Sequence, residues 1–306
     1  MIRMQTPSFD PGLTQQFTSP LRRAINKDGS FNVHRRGTTW HDYHPYLNLI
    51  NMGWFRFFAL LFAAYVVINL IFAGVYFWLG PDQLEGARAA TEAGRFWNDF
   101  FFSTHTLSTV GYGNISPKGP AGNAVASLEA LLGVLGLAVA TGLLFGRVSR
   151  PSARLGFSEN ALIAPYLDMT GLQFRVVNRR TNDLVDIEAR VMLMTVEMKD
   201  GRPQRKYELL RLERPQVMFL PLTWTVVHPI DRESPLWGKT PEELERSQAE
   251  VMVLLKAYDD TFSQTVLSRY SYRYDEFLWN RRFAPAFDVN DEGDMVLELK
   301  KVGEVA

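Results

Sequence analysis

The fold is decided by the stretch Thr109-Val110-Gly111-Tyr112-Gly113, which lies between two long apolar segments. Glycine adopts positive φ angles that residues with a Cβ resist, so Gly111 and Gly113 let the backbone turn its carbonyls toward a narrow axis. The first four carbonyls, with the Thr109 hydroxyl, can then replace the water shell of a potassium ion. The stretch therefore predicts a selectivity filter with K⁺ bound at Thr109, Val110, Gly111 and Tyr112. A chance Gly-Tyr-Gly turn in a hairpin loop is the alternative.

A filter of this kind needs more than one chain. One chain supplies a quarter of each ring of oxygens, so four copies around a shared axis are required. We therefore expect a cyclic homotetramer.

The two apolar segments favour the filter over a chance turn. Residues 57–79 carry no charge, and residues 121–145 carry only Glu129. Each segment is long enough to cross a bilayer, and neither has the polar face of a helix in a soluble protein. An acid inside a span is costly unless it is paired or hydrated. Glu129 is therefore expected either to pair behind the filter or to face the cavity.

Charge predicts the orientation in the membrane. Arginines flank both spans on the sides away from the filter, whereas the loop 80–119 has no basic excess. Both termini are therefore expected in the cytoplasm. Within the outer loop, the aromatic residues 96–107 predict a re-entrant pore helix, because irregular backbone at membrane depth needs protein around it. The flanking arginines are Arg35, Arg36, Arg56, Arg147, Arg150 and Arg154.

The C-terminal half has another character. From residue 158 onward, runs such as 186–193, 217–220 and 251–255 predict a β-sandwich. Thr240 and Pro241 indicate the start of one short helix. The first residues, with Pro7, Pro11, Gly12 and Pro20 among polar neighbours, are expected to be disordered.

Composition excludes several function classes. The chain has no cysteine, and its 33 basic residues balance 33 acidic ones, so neither thiolate chemistry nor nucleic-acid binding is indicated. No nucleophile motif is present, and His228 before Pro229 is expected to hydrogen-bond within the fold. We therefore predict a protein that is not an enzyme and needs no cofactor, with K⁺ as the permeant ion.

Several stretches resemble one family, the inward-rectifier potassium channels and specifically their bacterial branch. The likeness extends from about residue 37 to 287 and is more specific outside the filter than within it. The stretches that resemble the family are the filter, 147–151 (RVSRP), 157–161 (FSENA), 222–231 (LTWTVVHPID), 234–236 (SPL) and 274–279 (YDEFLW). The resemblance implies an immunoglobulin-like cytoplasmic sandwich whose four copies extend the conduction path.

The resemblance also implies the domain order and the location. Residues 1–36 form an N-terminal cytoplasmic segment, 37–52 an interfacial slide helix, 53–149 the transmembrane pore, and 150–306 the cytoplasmic β-sandwich. The expected fold class is a membrane α-helical pore of two spans and a re-entrant helix, followed by that sandwich. The expected location is a bacterial inner membrane.

A pore-lining face follows from the same comparison. Leu137, Thr141 and Phe145 recur every four positions, hence on one helix face, which the family places on the pore. Four Phe145 rings would close the pore by dewetting. The alternative is that Phe145 packs against a neighbouring helix or lipid. Gly133 matches the family's hinge position, although a glycine there could serve only close packing.

Two further sites are implied. Aromatic residues of the slide helix suit the interface, and Arg36, Arg147, Arg150 and Arg154 could hold phosphates of anionic lipids or phosphoinositides. Ordinary positive-inside topology explains the same arginines. A second constriction of the pathway corresponds to residues 258–263, with Tyr258, Asp259, Asp260 and Ser263 as its candidates.

The sequence departs from the family at several of these positions. Ser263 replaces a common glycine, and Lys256 stands where glutamate is frequent. Leu137 replaces the acidic or amide side chain of strong rectifiers, so rectification is expected to be weak. His105 and Ile115 replace an ion pair behind the filter, so another brace is needed.

Two rival functions remain at this stage. A membrane-tethered sandwich that conducts nothing would explain the C-terminal half but not the filter glycines. A potassium pore opened by voltage or by a soluble ligand is the other rival, although no span carries the regular arginines of a voltage sensor.

Overall fold

The computed structural model of this chain describes residues 11–19, 22–37, 39, 44–87, 89–149 and 154–306. Two compact units are present, one of Arg36–Arg150 and one that joins Met1–Arg35 to Pro151–Ala306. The N-terminal segment therefore groups with the C-terminal half, although the whole membrane unit separates them in sequence.

Four helices build the unit 36–150. They are α1 (Pro45–Asn51), α2 (Trp54–Leu79), α3 (Glu92–Leu107) and α4 (Gly119–Val148). Helices α2 and α4 have mean hydropathies of 2.4 and 2.1 over their most apolar windows and are long enough to cross a membrane. Helix α2 begins three residues before the predicted span 57–79 and ends with it, whereas α4 extends beyond the predicted span 121–145 at both ends.

Local signals set the helix ends. The pore helix α3 begins at Glu92, before the predicted start at residue 96, because the Thr91 side chain caps it by accepting a hydrogen bond from the Gly94 N–H at 3.1 Å. Helix α1 begins at Pro45, a residue suited to a first turn, and covers only part of the predicted slide helix 37–52. Residues 40–43 of that prediction lie outside the described chain.

Two short strands hold the outer loop together. Strand β1 (Leu84–Glu85) pairs antiparallel with β2 (Ser116–Pro117). A Cβ on Gly86, which has a φ of +85°, would lie 2.2 Å from the Asn114 carbonyl oxygen, so only glycine fits this approach. The segment that follows the filter is thereby fixed against the segment that follows α2.

The C-terminal unit is a β-sandwich, which confirms the predicted fold class. One five-stranded sheet has the order β11-β10-β6-β7, with β8 also paired to β6, and the other has the order β12-β4-β5-β3, with β9 paired to β5. The predicted runs lie in β6, β8 and β10. The strands are β3 (Leu155–Phe157), β4 (Ala161–Tyr166), β5 (Met169–Asn178), β6 (Leu184–Lys199), β7 (Arg202–Leu210), β8 (Gln216–Phe219), β9 (Thr223–Ile230), β10 (Glu250–Asp259), β11 (Gln264–Arg273) and β12 (Phe277–Trp279).

Smaller elements complete this unit. Helix α5 (Pro241–Arg246) begins where the sequence indicates, with a capping box between Thr240 and Glu243. A hairpin of β13 (Phe287–Val289) and β14 (Met295–Leu297) lies near the C-terminus. Between the two sheets, one continuous core holds fully buried side chains such as Phe174 and Leu193.

The expected disorder of the first residues is wrong for part of the described segment. The Gln15 carbonyl accepts a hydrogen bond from the Arg205 N–H at 2.9 Å, and the Gln16 carbonyl accepts one from the Arg205 guanidinium at 2.8 Å.

The chain that follows is also fixed to the sandwich. Ile25 is buried against Met194, Tyr207 and Met252. The N–H groups of Ala24 and Ile25 donate to the buried Glu250 carboxylate at 2.9 and 3.4 Å. A buried acceptor on β10 thus holds this part of the N-terminal segment in place.

Candidate ion-conduction site

The filter backbone alternates between two conformations. Thr109, Gly111 and Gly113 have φ angles of +61°, +58° and +79°, whereas Val110 and Tyr112 between them do not have positive φ. In an ordinary strand, successive carbonyls point to opposite sides. The alternation of φ removes this reversal, so successive filter carbonyls point to the same side. Thr109 takes the left-handed conformation although it has a branched Cβ, a conformation that the sequence did not predict.

Backbone N–H groups of the filter are hydrogen-bonded to the pore helix. The N–H groups of Val110 and Gly111 both donate to the His105 carbonyl, at 3.0 and 3.2 Å, and the Thr109 N–H donates to the Thr106 carbonyl at 3.0 Å. These donors satisfy the last carbonyls of α3. The filter carbonyls are consequently left for another ligand, and within one subunit all five filter residues are exposed.

His105 and Ile115 contribute to the brace that the sequence left open. The His105 ring meets the Tyr112 ring edge to face, with centroids 4.7 Å apart. Ile115 packs against the apolar cluster that contains Phe72, Tyr76 and Phe102. Ring and apolar contacts therefore occur at the two positions where the sequence replaces the ion pair of the family.

Glu129 lies behind the filter and is fully buried. Tyr76 of α2 donates to its Oε2 at 2.7 Å, and Ser103 of α3 contacts its Oε1. Ser103 also lies 2.9 Å from Asn69 of α2. Of the two placements open from sequence, the structure selects the one behind the filter, with hydroxyl partners instead of a cation.

The sequence analysis did not single out Asn69, Tyr76 or Ser103. Asn69 offered a signal, because it is the only amide side chain in an otherwise apolar span. Tyr76 and Ser103 offered none, since both residue types are common at such positions. Their role depends on how α2, α3 and α4 pack.

Gly133 lies one turn beyond Glu129 and allows a close helix contact. A Cβ at this position would lie 2.1 Å from the Leu107 carbonyl oxygen at the end of the pore helix. That distance is far below van der Waals contact, so no larger residue fits without a backbone shift. This contact gives Gly133 a packing role, and α4 continues as a helix through it.

The predicted pore face follows on the same helix. Leu137 and Phe145 are 66% and 72% exposed within one subunit, and Thr141 is also exposed. Steps of four residues exceed one turn of 3.6, so the row from Glu129 to Phe145 winds around the helix. Its first members face the pore helix, and its last members are exposed in the single chain.

Arg147, which was predicted to bind lipid, is hydrogen-bonded to carbonyls at the end of α1. Its guanidinium donates to the carbonyls of Ile50 and Met52, at 2.9 and 2.7 Å, and contacts that of Leu49. The same group lies over the rings of Trp54 and Phe57. These carbonyls end α1, so Arg147 caps the C-terminal end of that helix.

The other predicted lipid ligands differ in their surroundings. Arg36 and Arg154 are exposed in their respective units. Arg150 lies outside the described residues.

The loop predicted as a second constriction is the turn between β10 and β11. Tyr258 and Asp260 are exposed, whereas Asp259 is buried and accepts hydrogen bonds from Asn182 at 2.9 Å and from the Phe262 N–H at 3.3 Å. Ser263 has a φ of +51°, the conformation that the family's common glycine favours. Asp259 therefore shapes the turn instead of presenting its charge outward.

His228 is a structural residue, as expected from its sequence context. Its Nδ1 lies 2.6 Å from the Arg211 carbonyl and its Nε2 lies 2.8 Å from Ser234 Oγ. A carbonyl only accepts, so Nδ1 carries the proton and Nε2 accepts from the hydroxyl. Burial lowers the pKa of His228, which favours this neutral form.

Comparisons with known proteins agree with this geometry. The profile of the inward rectifier potassium channel C-terminal domain matches residues 155–306, and an ion channel profile matches residues 64–150. Inward rectifier potassium channel Kirbac3.1 of Paramagnetospirillum magnetotacticum is 37% identical over 93% of this chain and 96% of its own. Human G protein-activated inward rectifier potassium channel 2 is 27% identical over 89% of this chain and 69% of its own.

Solved structures add little. The sporulation control protein Spo0M of Bacillus subtilis matches 43% of this chain and 50% of its own, with 14% identity and a TM-score of 0.25, which is too low to support a fold argument. The sequence matches confirm the predicted family, which consists of ion channels with K⁺ as the permeant ion and not of enzymes. This chain therefore belongs to the inward rectifier potassium channel family.

Proposed function

We propose that four copies of this chain surround one axis and conduct potassium passively and selectively. The observation that carries the proposal is the alternating filter backbone, whose first three N–H groups donate to the pore helix while its carbonyls accept no hydrogen bond from the residues that the structure describes. Four such backbones supply the oxygen rings that replace the hydration shell of K⁺.

The proposed location is a bacterial inner membrane, with both termini in the cytoplasm. Arginines at the ends of the two spans that lie away from the filter support this orientation. In the proposed domain order, residues 1–36 and 150–306 are cytoplasmic, 37–52 lie at the interface and 53–149 form the pore. The compact units, with their boundaries near residues 36 and 150, support this division.

Flux into proteoliposomes tests the proposal directly. Purified protein should take up K⁺ in preference to Na⁺, barium should block the uptake, and the assembly should have the mass of four chains. A monomeric or dimeric protein in membranes, or equal passage of Na⁺ and K⁺, would contradict it. A protein that remains impermeable in every lipid mixture would favour the tethered sandwich.

The proposed gate is Phe145, on the inner end of α4. Its exposed ring leaves it free to meet three symmetry-related rings, and four rings form a constriction that empties of water. Phe145→Ala should raise the open probability in single-channel recordings, with selectivity unchanged. Leu132→Ala, which removes a comparably large exposed side chain on the same helix, is the control. Equal effects of the two changes would assign Phe145 to packing.

Anionic lipids, including phosphoinositides, are proposed to modulate this gate. Arg36 and Arg154 support the proposal because they are exposed, each contributing about 1 kcal/mol near a charged membrane surface. Arg150→Gln with Arg154→Gln should weaken the response of K⁺ flux to titrated anionic lipid. An unchanged response would remove the lipid site. Arg147→Gln serves as a comparison, because its donors already bind the carbonyls that end α1.

Weak rectification is proposed from Leu137, an apolar side chain on the predicted pore face. Block by intracellular magnesium or polyamines needs a charge or an amide near this position, according to the family resemblance. Leu137→Asp should therefore strengthen inward rectification in patch recordings, and the wild type should show little.

Residues 258–263 are proposed as a second constriction of the pathway. Tyr258 and Asp260 support this proposal because both side chains are exposed in the single chain.

A further inference from the structure

Glu129 forms no ion pair with any residue that the structure describes, although it is a fully buried acid in a membrane span. Its partners are two hydroxyl groups, Tyr76 from α2 and Ser103 from α3. An ionised carboxylate in such a surrounding is costly unless a positive charge balances it. The network therefore raises the question of where its protons lie.

The hydrogen bonds around Ser103 answer this question. The Ser103 Oγ lies against two oxygens, Oε1 of Glu129 and Oδ1 of Asn69, the latter at 2.9 Å. A hydroxyl has one proton and can donate to only one of them.

The orientation of Asn69 is fixed by its other contact. Its Nδ2 donates to the Tyr65 carbonyl at 2.7 Å, and a carbonyl cannot donate in return. Flipping the amide would place two acceptors against each other. The Asn69 oxygen must therefore face Ser103 and receive the Ser103 proton, which leaves none for Glu129.

We propose that Glu129 carries a proton and acts as a positioning residue for the filter. Its Oε1–H donates to Ser103, while its Oε2 accepts from Tyr76. A directional chain of hydrogen bonds then runs from Tyr76 through Glu129, Ser103 and Asn69 to the Tyr65 carbonyl, and every donor in it has an acceptor. This chain ties the pore helix to both spans.

The connection to the filter is short. Ser103 lies two residues before His105, whose carbonyl holds the Val110 and Gly111 N–H groups. Gly133, one turn after Glu129, contacts the Leu107 carbonyl at the end of the same helix. Rotation of the pore helix would therefore displace the N–H groups of the filter. The hydrogen bond from protonated Glu129 to Ser103 opposes that rotation.

Few other charged groups face this network among the described residues. On α3, Asp99 and Arg95 lie one and two turns before Ser103, and His105 lies half a turn after it. On α2 the facing groups are Tyr65 and Tyr76, and on α4 Glu129 is the only ionisable group before Arg147. The described part of the membrane unit thus offers Glu129 no cation within salt-bridge distance.

Three variants test the positioning role, which rests on the proposed channel function. Glu129→Gln keeps one donor and one acceptor and should retain K⁺ flux and K⁺/Na⁺ selectivity. Glu129→Leu and Ser103→Ala break the chain and should each lower selectivity about tenfold, as expected for one unsatisfied buried group. A Leu variant with wild-type selectivity, or a Gln variant as impaired as the Leu variant, would overturn the role.

Infrared spectroscopy tests the proton without any need for conduction. The difference spectrum between wild type and Glu129→Gln, at neutral pH in lipid, should contain the carbonyl stretch of a protonated carboxyl. Carboxylate bands in its place would overturn the protonation, even if the channel conducts as proposed. A protein that shows the carboxyl band but passes no K⁺ would instead contradict the function.

Discussion

The membrane unit and the β-sandwich of this chain reach stability in different ways. In the sandwich, two sheets enclose one continuous apolar core, and side chains such as Phe174 and Tyr272 are fully buried within a single subunit. In the membrane unit, only 17% of the most apolar window of each span is buried. The sandwich thus completes its core alone, whereas the spans leave apolar faces exposed in the single chain.

The few contacts inside the membrane unit are correspondingly specific. Buried positions on α4 include Gly122, Glu129 and Gly133, which are two small residues and one acid. Lipid tails are as apolar as leucine, so helices in a membrane gain more from close backbone approach and hydrogen bonds than from burial of apolar area. The comparison predicts that the two regions respond to opposite kinds of substitution.

The largest effect is expected from removing apolar volume in the sandwich. Phe174→Ala should lower the free energy of unfolding of that unit by about 3–5 kcal/mol, because it leaves a cavity between the sheets. Phe62→Ala on α2, where the ring is 69% exposed, should cost less than about 1 kcal/mol. Calorimetry of the full-length protein in detergent measures both. A comparable loss for Phe62→Ala would mean that this face of α2 packs against another subunit.

Adding volume should instead affect the membrane unit. Gly133→Ala forces a methyl group against the Leu107 carbonyl and should cost about 1–3 kcal/mol, because neither backbone can yield freely. Tetramer melting and K⁺ flux should both fall. Gly136→Ala is a matched control on the same helix, since its added Cβ would meet no other described segment within 4 Å. Equal behaviour of the two variants would contradict the close contact and leave only a hinge role for Gly133.

The N-terminal segment offers a test of the sandwich surface. Glu250→Ala should leave the Ala24 and Ile25 N–H groups without an acceptor, at a cost of about 1–2 kcal/mol. Hydrogen exchange at these two amides should become much faster, while the core strands stay protected. Glu250→Gln retains one acceptor oxygen and should have a smaller effect. Unchanged exchange in Glu250→Ala would show that apolar contacts of Ile25 suffice to hold the segment.

The smallest effect is expected at the turn between β10 and β11. Ser263→Gly should stabilise the sandwich by about 1 kcal/mol or less, because relief of the positive φ is partly offset by the entropy of glycine in the unfolded chain. Thermal unfolding measures the change, with Ser268→Gly in the middle of β11 as a destabilising control. Destabilisation by Ser263→Gly would mean that the serine side chain makes a contact that outweighs the strain.

Local sequence signals determined much of this protein. The glycine spacing of the filter, the two long apolar stretches, the period-two runs and the Thr240 cap each specify their element through short-range chemistry, and all of these elements are present. Family motifs in residues 222–231 and 274–279 carried the resemblance further than the filter could. These elements can be predicted from sequence because the residues that form each one are neighbours in the chain.

Contacts between distant segments were decided only by the tertiary structure. The α4 residues from Glu129 to Phe145 recur at a uniform spacing of four, yet packing against α3 buries Glu129 and Gly133 and leaves Phe145 exposed. From sequence, Arg147 is a cation available to lipid phosphates. In the structure, its guanidinium donates to the carbonyls that end α1. Burial, hydrogen-bond satisfaction and close approach depend on what other segments bring to a position, so one stretch of sequence could not specify them.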